Sequence, residues 1–347
     1  MKTARMVLYS TPLIATLLIS GCVPLEEPSL FDLGDLAPPI FLGLSQPDDR
    51  TLSLEFSEAV TAKEGTVRIT GSSGESVTVT QILDHKHTLD LTFVQPPEAG
   101  IRCTAELSVS DEAGNSLDLL VPFYGINPDL PAMLINEITT QGSSSSPDMV
   151  ELRVSEAGNL AGALLCEGID GDCIQEIVFP PIEALAGDFV IIHFKPQGIE
   201  EEINETDDPA ASGGLKAHPQ AWDLWVQGGS GLSGNNGVIA LYTRPGGPAI
   251  DAFLYSNRTS ESDSDYRGFG SSAVLRRAEA ICEAGMWMAA DGPVRPEDAV
   301  NPEPSTATRS MFRKPEEADT NSSVDWFIAP TGGASFGSAN GNEVYEP

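Results

Sequence analysis

Side chains that commonly perform chemistry are sparse in this chain of 347 residues, which contains only four histidines. His85 and His87 flank a lysine, and two histidines at i and i+2 on a strand share a face that can hold a metal ion. A third ligand is not apparent, so a solvated hairpin tip is favoured over a metal site. His193 falls within an unbroken apolar run, and His218 lies in a loop beside a proline.

The motifs that organise common active sites do not occur. There is no Gly-x-Ser-x-Gly elbow, no His-Glu-x-x-His and no phosphate-binding glycine loop. Residues 261–268, ESDSDYRG, begin like a calcium-binding EF-hand loop, but Tyr266 stands where that loop needs glycine and Ser272 where it needs glutamate. The sequence therefore predicts a protein that is not an enzyme and has no cofactor and no metal site.

The polar segment 307–330 is the remaining candidate for an ion or substrate site. Arg309 and Arg313 are spaced by four, and Asp319 and Asp325 follow in a turn-forming stretch. The alternative is a structural closure, in which the arginines pair with carboxylates and Asp319 caps a tight turn. We predict this structural role, with the indole of Trp326 anchoring the final strand.

Composition limits the elements that could position these residues. With 41% hydrophobic residues the chain can bury real cores, and its length suits two domains. The 33 glycines and 26 prolines favour a turn-rich β protein. The formal net charge of −32 repels phosphate backbones, so nucleic-acid binding is disfavoured.

The N-terminal sequence has the features of an export signal. A short basic region, with Lys2 and Arg5, precedes an apolar stretch too short to span a bilayer. Residues 19–22, ISGC, resemble a bacterial lipobox, which implies that residues 1–21 are a lipoprotein signal peptide and that Cys22 is acylated. The alternative is an ordinary secretory signal. Residues 22–37 are then a tether, and Val23 favours the outer membrane over the inner membrane.

Residues 38–127 show strands by alternation of apolar and polar residues, with turn sequences between them. Short strands at this spacing predict a β-sandwich. The order of strands, and the stretch VSDEAGNSL at 109–117, resemble the bacterial Ig-like repeats of surface proteins. That resemblance implies a spacer or adhesive module.

Residues 130–342 resemble the lamin-tail domain, an Ig-like β-sandwich, by four features in order. These are INEI at 135–138, VEL at 150–152, the hairpin of GVIALY and AIDAFLY, and the closing segment followed by GSAN at 337–340. The resemblance implies structural motif positions at Asn136, Glu137, Glu151, Arg309, Arg313, Asp319, Asp325 and Trp326. Met149 and Val150 depart from it, because many members carry a tryptophan before the glutamate.

Two insertions extend this second domain. Residues 199–218 carry six acidic residues and no base between Glu200 and Asp208, which predicts a mobile, solvated loop rather than a calcium site. The second insertion, near 271–300, contains a predicted helix at 271–289 with Leu275, Ala278, Ile281 and Cys282 on one side. We expect it to pack on the sandwich; the alternative is a partner-binding helix with Met286, Trp287 and Met288 protruding.

Four cysteines remain besides Cys22. Cys166 and Cys173 bracket a turn, and in an exported protein we expect them to form a disulfide, with two reduced thiols as the alternative. Cys103 and Cys282 fall in different domains, which favours buried free thiols.

Together these features predict an all-β chain of two Ig-like sandwiches in tandem, the second with one inserted helix. We expect a non-catalytic surface lipoprotein of the bacterial envelope, held to the membrane by its lipid. It would bind proteins, envelope polymers or host material, but not nucleic acid. The alternative is an accessory or degenerate secreted hydrolase component, since lamin-tail domains often accompany such enzymes.

Overall fold

The computed structural model describes residues 35–315 and 318–346. The predicted signal peptide, Cys22 and most of the tether lie outside the described residues. The chain divides into two units, Met1–Ala37 and Pro38–Pro347, and residues 35–37 of the first have no regular secondary structure. In the described part of the chain, no helix has the length and hydrophobicity needed to cross a bilayer.

Within the described residues, Pro38–Pro347 is almost all β, with a sandwich-type arrangement of mainly antiparallel sheets and one α-helix, as the sequence predicts. Its first part contains β1 (Phe41–Asp48), β2 (Thr51–Phe56), β3 (Thr61–Ala62), β4 (Arg68–Gly71), β5 (Ser76–Val77), β6 (Val79–His85), β7 (Thr88–Phe93), β8 (Arg102–Ser110) and β9 (Ser116–Tyr124). One sheet has the order β1-β2-β7-β6. The other has the order β3-β8-β4-β5, with β9 also paired to β8.

The first hydrophobic core lies between these two sheets. Because successive side chains of a strand point to opposite faces, every second residue of β2, β7 and β8 enters the core. These residues are at most 2% exposed: Leu52, Leu54, Phe56, Leu89, Leu91, Phe93, Cys103, Ala105, Leu107 and Val109.

Where the structure describes it, the second part contains twelve strands and the helix. They are β10 (Met133–Thr139), β11 (Met149–Val154), β12 (Gly158–Asn159), β13 (Leu164–Ile169), β14 (Asp172–Val178), β15 (Glu183–Ala184), β16 (Phe189–His193), β17 (Trp222–Trp225), β18 (Asn236–Tyr242), β19 (Ala249–Ser256), α1 (Ser272–Glu283), β20 (Met311–Arg313) and β21 (Trp326–Ile328). Two short 3₁₀ helices span Pro296–Asp298 and Ser323–Asp325.

A six-stranded sheet, β17-β16-β11-β10-β20-β21, and a four-stranded sheet, β14-β13-β18-β19, form this second sandwich. Its core runs from Met133 to Trp326 and is separate from the first core. The strand β16 is buried on both faces, as its unbroken apolar sequence predicts, and pairs in parallel with β17. The closing strands β20 and β21 therefore complete the same sheet that β10 and β11 begin.

The two sandwiches touch directly through backbone and polar contacts. Asn127 Nδ2 donates to the carbonyl oxygens of Asn159 (2.6 Å) and Ala161 (3.0 Å). Gly100 and Gly162 pack backbone against backbone, so that a Cβ on Gly162 would lie 2.6 Å from the Cα of Gly100. Both glycines have positive φ, and larger residues here would force the two sandwiches apart.

Helix α1 begins with the Ser271 side chain accepting a hydrogen bond from the backbone N–H of Val274. Ala278 and Ile281 are fully buried, which agrees with the predicted face. The helix ends at Glu283, earlier than predicted, and Trp287 beyond it is 1% exposed with its indole N–H donating to the Asp298 carbonyl (3.1 Å). Of the three residues expected to protrude in the partner-binding alternative, only Met288 is exposed, so that alternative is wrong for Met286 and Trp287.

The insertion 199–218 is not the fully solvated loop that its acidity predicts. Glu205 is 2% exposed, and its carboxylate accepts hydrogen bonds from the backbone N–H groups of Asp223 (2.6 Å) and Ser212 (2.8 Å). Asn204 Oδ1 likewise accepts from the Trp225 N–H (2.7 Å). The reason is that β17 lies at the edge of its sheet, and the insertion supplies acceptors for the backbone N–H groups of that edge.

Candidate functional site

A β-bulge in β10 is the local feature that creates the main polar cluster. Ile135 lies opposite Leu152 of β11, and Glu137 lies opposite Glu151, so Asn136 is one extra residue in β10. The bulge keeps Ile135 in the core while Asn136 and Glu137 join the polar cluster. Glu151 also faces away from that core, because its neighbours along β11 face into it.

The two glutamates are fully buried, at 0% exposure, beneath the C-terminal segment. The carboxylate of Glu137 accepts from the Ser310 hydroxyl and from both the N–H (2.8 Å) and the hydroxyl (2.7 Å) of Ser335. That of Glu151 accepts from Asn136 Nδ2 (2.6 Å) and from the Gly337 N–H (2.5 Å). Ser335 and Gly337 thus supply donors from the C-terminal segment, while Ser310 directly precedes β20 and Asn136 lies in β10 itself.

Asn340 and the backbone conformation of Gly337 also hold the C-terminal segment in place. Asn340 Nδ2 donates to the Arg313 carbonyl (2.9 Å) and to Asn136 Oδ1 (3.1 Å). Gly337 has a φ of +83°, and a Cβ there would lie 2.5 Å from the ring of His218. Only glycine fits this position without displacing the imidazole.

Burial dominates the electrostatics of the glutamate pair. Loss of solvation raises the pKa of Glu137, although its three hydrogen bonds act in the opposite direction. The pKa of Glu151 is raised well above its ordinary value of 4.5. The larger cause is loss of solvation, and the smaller is repulsion by the nearby carboxylate of Glu137. The pair therefore holds a proton to a higher pH than an exposed glutamate does.

This arrangement predicts a specific pH dependence of stability. A carboxyl whose pKa is raised on folding stabilises the protein fully below its unfolded pKa, and this contribution is lost as pH rises through the folded pKa. We therefore expect Glu151→Gln to gain stability relative to wild type as pH rises from about 4.5 toward neutrality. Urea unfolding at several pH values measures this difference. The matched control is Glu176→Gln on the exposed face of β14, and equal slopes for all three proteins would contradict the prediction.

Arg313 organises a second buried cluster beside the first. Its guanidinium donates to the Ile135 carbonyl (2.9 Å), to Asp251 (2.9 Å) and to Asp319 (2.6 Å). Asp251 in turn accepts from the N–H of Ile135 (2.8 Å). Burial raises the pKa of Asp251 to about 6, against the attraction of Arg313 and with the repulsion of Asp319. Arg313 thus joins β20 to both sheets of the sandwich.

Asp325 and Trp326 close the segment around this arginine. Asp325 accepts from the N–H (2.9 Å) and hydroxyl (2.7 Å) of Thr320 and from the N–H of Ser322 (3.2 Å). Burial acts to raise its pKa, but these hydrogen bonds outweigh it and lower the value. The Trp326 ring lies 4.4 Å from that of Phe253, and the Arg313 guanidinium carbon lies 4.9 Å from the Trp326 centroid.

Arg309 does not behave as predicted. Instead of a carboxylate, its guanidinium faces the ring of Tyr345, 4.2 Å from the centroid, and no ion pair to Arg309 occurs among residues 35–315 and 318–346. Tyr345 is itself held by its N–H to the Ile328 carbonyl (2.9 Å). The many acidic residues of the chain therefore do not supply the partner of Arg309. Its positive charge lies against the electron-rich face of the Tyr345 ring instead.

An open pocket of about 550 Å³ lies beside the two clusters. Strands β10, β11 and β20 and the C-terminal segment all contribute to it. Of the ten lining residues that belong to the described part of the chain, three are basic and none is acidic: Leu134, Asn136, Arg153, Ser155, Arg313, Lys314, Pro315, Ala339, Asn340 and Asn342. Such a lining offers donors for an anionic group.

A buried His–Asp pair lies elsewhere in the same sheet, and sequence reasoning missed it. His193 Nε2 is 2.7 Å from Asp223 Oδ1, both side chains are 0% exposed, and the imidazole stacks on Trp225 at 3.8 Å. Asp223 also accepts from the N–H of His218 (2.6 Å). The described residues offer no hydrogen-bond partner to His193 Nδ1. The pair has the composition of part of a catalytic triad, but burial separates it from solvent.

The predicted bridge between Cys166 and Cys173 is present, with an S–S distance of 2.12 Å. It lies at the tip of the β13–β14 hairpin, where Asp172 accepts hydrogen bonds from Arg276 (2.6 Å) and Arg277 (2.9 Å) of α1. Those bonds, first from Arg277 and then from Arg276, lower the pKa of Asp172. The bridge joins the two strands of the hairpin, and the ion pairs fasten the helix to it.

The remaining candidates from the sequence lie apart from these clusters. His85 and His87 are exposed at the β6–β7 hairpin tip, where Lys86 has a φ of +55°, so they do not share one strand face. Cys103 is buried and Cys282 half-buried, and both are free thiols. Burial raises the pKa of each thiol to about 11, which keeps both protonated and unreactive near neutral pH.

Two comparisons with known proteins show what this chain is similar to. A family model described as "protein second domain" (the TP_1001 second domain) matches residues 131–328, more than half of the chain. A protein of Treponema pallidum (strain Nichols), described as uncharacterized, is 29% identical over 167 residues. The aligned region is 48% of this chain and 42% of that protein, so the chain spans less than half the length of this relative.

Proposed function

Since the chain belongs to the TP_1001 second-domain family through residues 131–328, we propose that it is a non-catalytic binding and structural module of the bacterial envelope. In this proposal Cys22 carries a lipid that anchors the protein, in the outer membrane rather than the inner membrane. An Ig-like domain followed by a lamin-tail domain forms the folded part. Its partners are proteins or polymers of the envelope or host.

One observation carries the non-catalytic part of the proposal: the polar residues that resemble an active site are used internally. Glu137 and Glu151 are fully buried and accept five hydrogen bonds from Ser310, Ser335, Asn136 and Gly337. Carboxylates that fasten a chain terminus in this way have little freedom to act on a substrate. They support a scaffold whose exposed surfaces do the binding.

The lamin-tail assignment is supported by how the motif positions meet. Residues 135–138 and 150–152 pair as neighbouring strands, and the residues near 337–340 hydrogen-bond to both. The closing segment pairs with β10 through β20. Three of the four sequence features thus meet in one continuous cluster, although Asn136 and Asn340 lie 204 residues apart in the sequence.

The alternative, a degenerate hydrolase component, draws its support from His193 and Asp223. Their 2.7 Å contact is that of an acid–base pair, but both side chains are 0% exposed. A substrate would need a rearrangement of the 199–218 insertion to reach them. We therefore place this function second; turnover of ester, phosphate or glycoside substrates that is lost in His193→Gln would favour it.

The anchor is tested by Cys22→Ala in the full chain, expressed in a bacterium that acylates lipoproteins. We expect loss of palmitate labelling and of membrane fractionation, because the thiol is the acylated group. Cys282→Ala is the matched control and should label as wild type does. Palmitate still entering the Cys22→Ala protein would overturn the anchor.

The binding function is tested by capture. The unit 38–347 is immobilised and exposed to solubilised envelope proteins and to purified envelope polymers. We expect saturable capture of a defined component, which soluble competitor protein displaces. Absence of any saturable component would contradict a binding role.

A further inference from the structure

The pocket lined by β10, β11, β20 and the C-terminal segment has the opposite electrostatic character from the rest of the molecule. The chain has 51 acidic and 19 basic residues, yet among residues 35–315 and 318–346 three basic residues and no acidic one line this pocket. Arg313 is already paired with Asp251 and Asp319, so its charge is locally balanced. The positive character of the pocket therefore rests chiefly on Arg153.

Arg153 is the basic residue of the pocket that can bind an anionic ligand. It is exposed on β11 opposite Leu134, and within residues 35–315 and 318–346 no carboxylate lies within ion-pair distance of it. A guanidinium presents two parallel N–H donors that match the two oxygens of a carboxylate. The volume of about 550 Å³ is that of a site for a small molecule or a short chain end.

The surroundings of the pocket select against a polyanion. Two lining residues, Ser155 and Asn342, are each followed by an exposed glutamate, Glu156 and Glu343. The net charge of −32 adds a long-range field that repels multiply charged anions and attracts cations. A ligand that combines one carboxylate with a positive group satisfies both the pocket and its rim.

We propose that this pocket binds the free carboxylate end of a short zwitterionic peptide, with Arg153 holding the carboxylate and the acidic rim receiving the ammonium group. Leu134, Pro315 and Ala339 provide apolar contact for the aliphatic part of such a ligand. This inference rests on the proposed binding function and assigns it a ligand class and a place.

The test is calorimetric titration of the full-length protein at low salt and pH 7 with alanyl-alanyl-lysine and with its C-terminal amide. We expect the free acid to bind and the amide to bind at least tenfold more weakly. Arg153→Ala should weaken binding of the free acid by a similar factor, and Arg153→Lys by less. The matched control Arg102→Ala, exposed on β8, should bind as wild type does.

Free lysine is the second probe. If free lysine binds as tightly as the tripeptide, the ligand is a free amino acid. If free lysine binds more weakly, the ligand is a peptide. Either result supports the site. Equal affinity for acid and amide, unchanged binding by Arg153→Ala, or no binding at millimolar peptide would overturn the proposal. An unchanged thermal midpoint for Arg153→Ala establishes that lost binding is not lost folding.

The envelope-capture experiment distinguishes failure of the peptide site from failure of the proposed binding function. If peptide binding is absent but the unit 38–347 still captures an envelope component, the pocket assignment is wrong and the binding function stands. If neither occurs, both are wrong.

Discussion

Arg313→Ala is expected to lower the free energy of unfolding by about 3–5 kcal/mol, because it leaves the buried carboxylate of Asp251 without its cation. The side chains of Arg313 and Asp251 are only 10% and 1% exposed. The variant also loses the bond to the Ile135 carbonyl, which orients β10 against β20. Chemical denaturation at pH 7 measures the change.

Arg309→Ala provides the matched control for this prediction. It removes the same side chain from the same segment, but its contacts are the Tyr345 ring and the Thr306 hydroxyl. A cation–π contact at a partly exposed site contributes about 0.5–1 kcal/mol. Similar losses for Arg309→Ala and Arg313→Ala would contradict the assignment of Arg313 as the buried connection between the two sheets.

Trp326→Ala is the second change with a large expected effect, again about 3–5 kcal/mol, since a buried aromatic ring is truncated and a cavity remains. The indole is 6% exposed and contacts both Phe253 and Arg313. Given a typical stability of about 5–15 kcal/mol for a domain, we expect a sharply lower thermal midpoint. Trp326→Phe, which keeps an aromatic ring, should lose less.

The same experiment distinguishes the structural role of the segment from an ion site. Asp319 and Asp325 have their oxygens engaged by Arg313, Thr320 and Ser322, so neither is arranged for a cation. We expect a chelator to leave the midpoint of wild type unchanged and the effect of Trp326→Ala undiminished. A chelator effect on wild type that disappears in Asp319→Ala and Asp325→Ala would establish an ion site instead.

Local sequence patterns were sufficient to predict most of the strands. Alternation of apolar residues predicted β2, β7 and β8, and an unbroken apolar run predicted β16, because side-chain direction depends only on neighbouring residues. The lamin-tail resemblance singled out Glu137 and Glu151, which the structure places against the C-terminal segment, and Arg313 and Asp325 within the closing segment itself. These residues were found by family pattern rather than by periodicity.

The remaining features depend on partners far away in the chain. Asp223 meets His193 only because β17 joins β16 in parallel, and a four-residue strand after a proline gives a weak local signal. The acidity of 199–218 predicted solvation, since the hydrogen-bonding requirement of the β17 edge cannot be read from the insertion itself. The bulge at Asn136 and the Arg309–Tyr345 contact likewise follow from strand register and from the path of the C-terminal segment.

The glutamate cluster also sets an order for folding. Glu137 is separated from its donor Ser335 by 198 residues, and Glu151 from Gly337 by 186. At about 5–20 residues per second, synthesis of that interval takes roughly 10–40 seconds, during which both carboxylates must remain hydrated. The glutamate cluster therefore cannot be completed until residues 335–337 have been synthesised. Until then the two carboxylates lack those donors, and the second sandwich remains incompletely packed while the first sandwich, which has its own core, can already be folded.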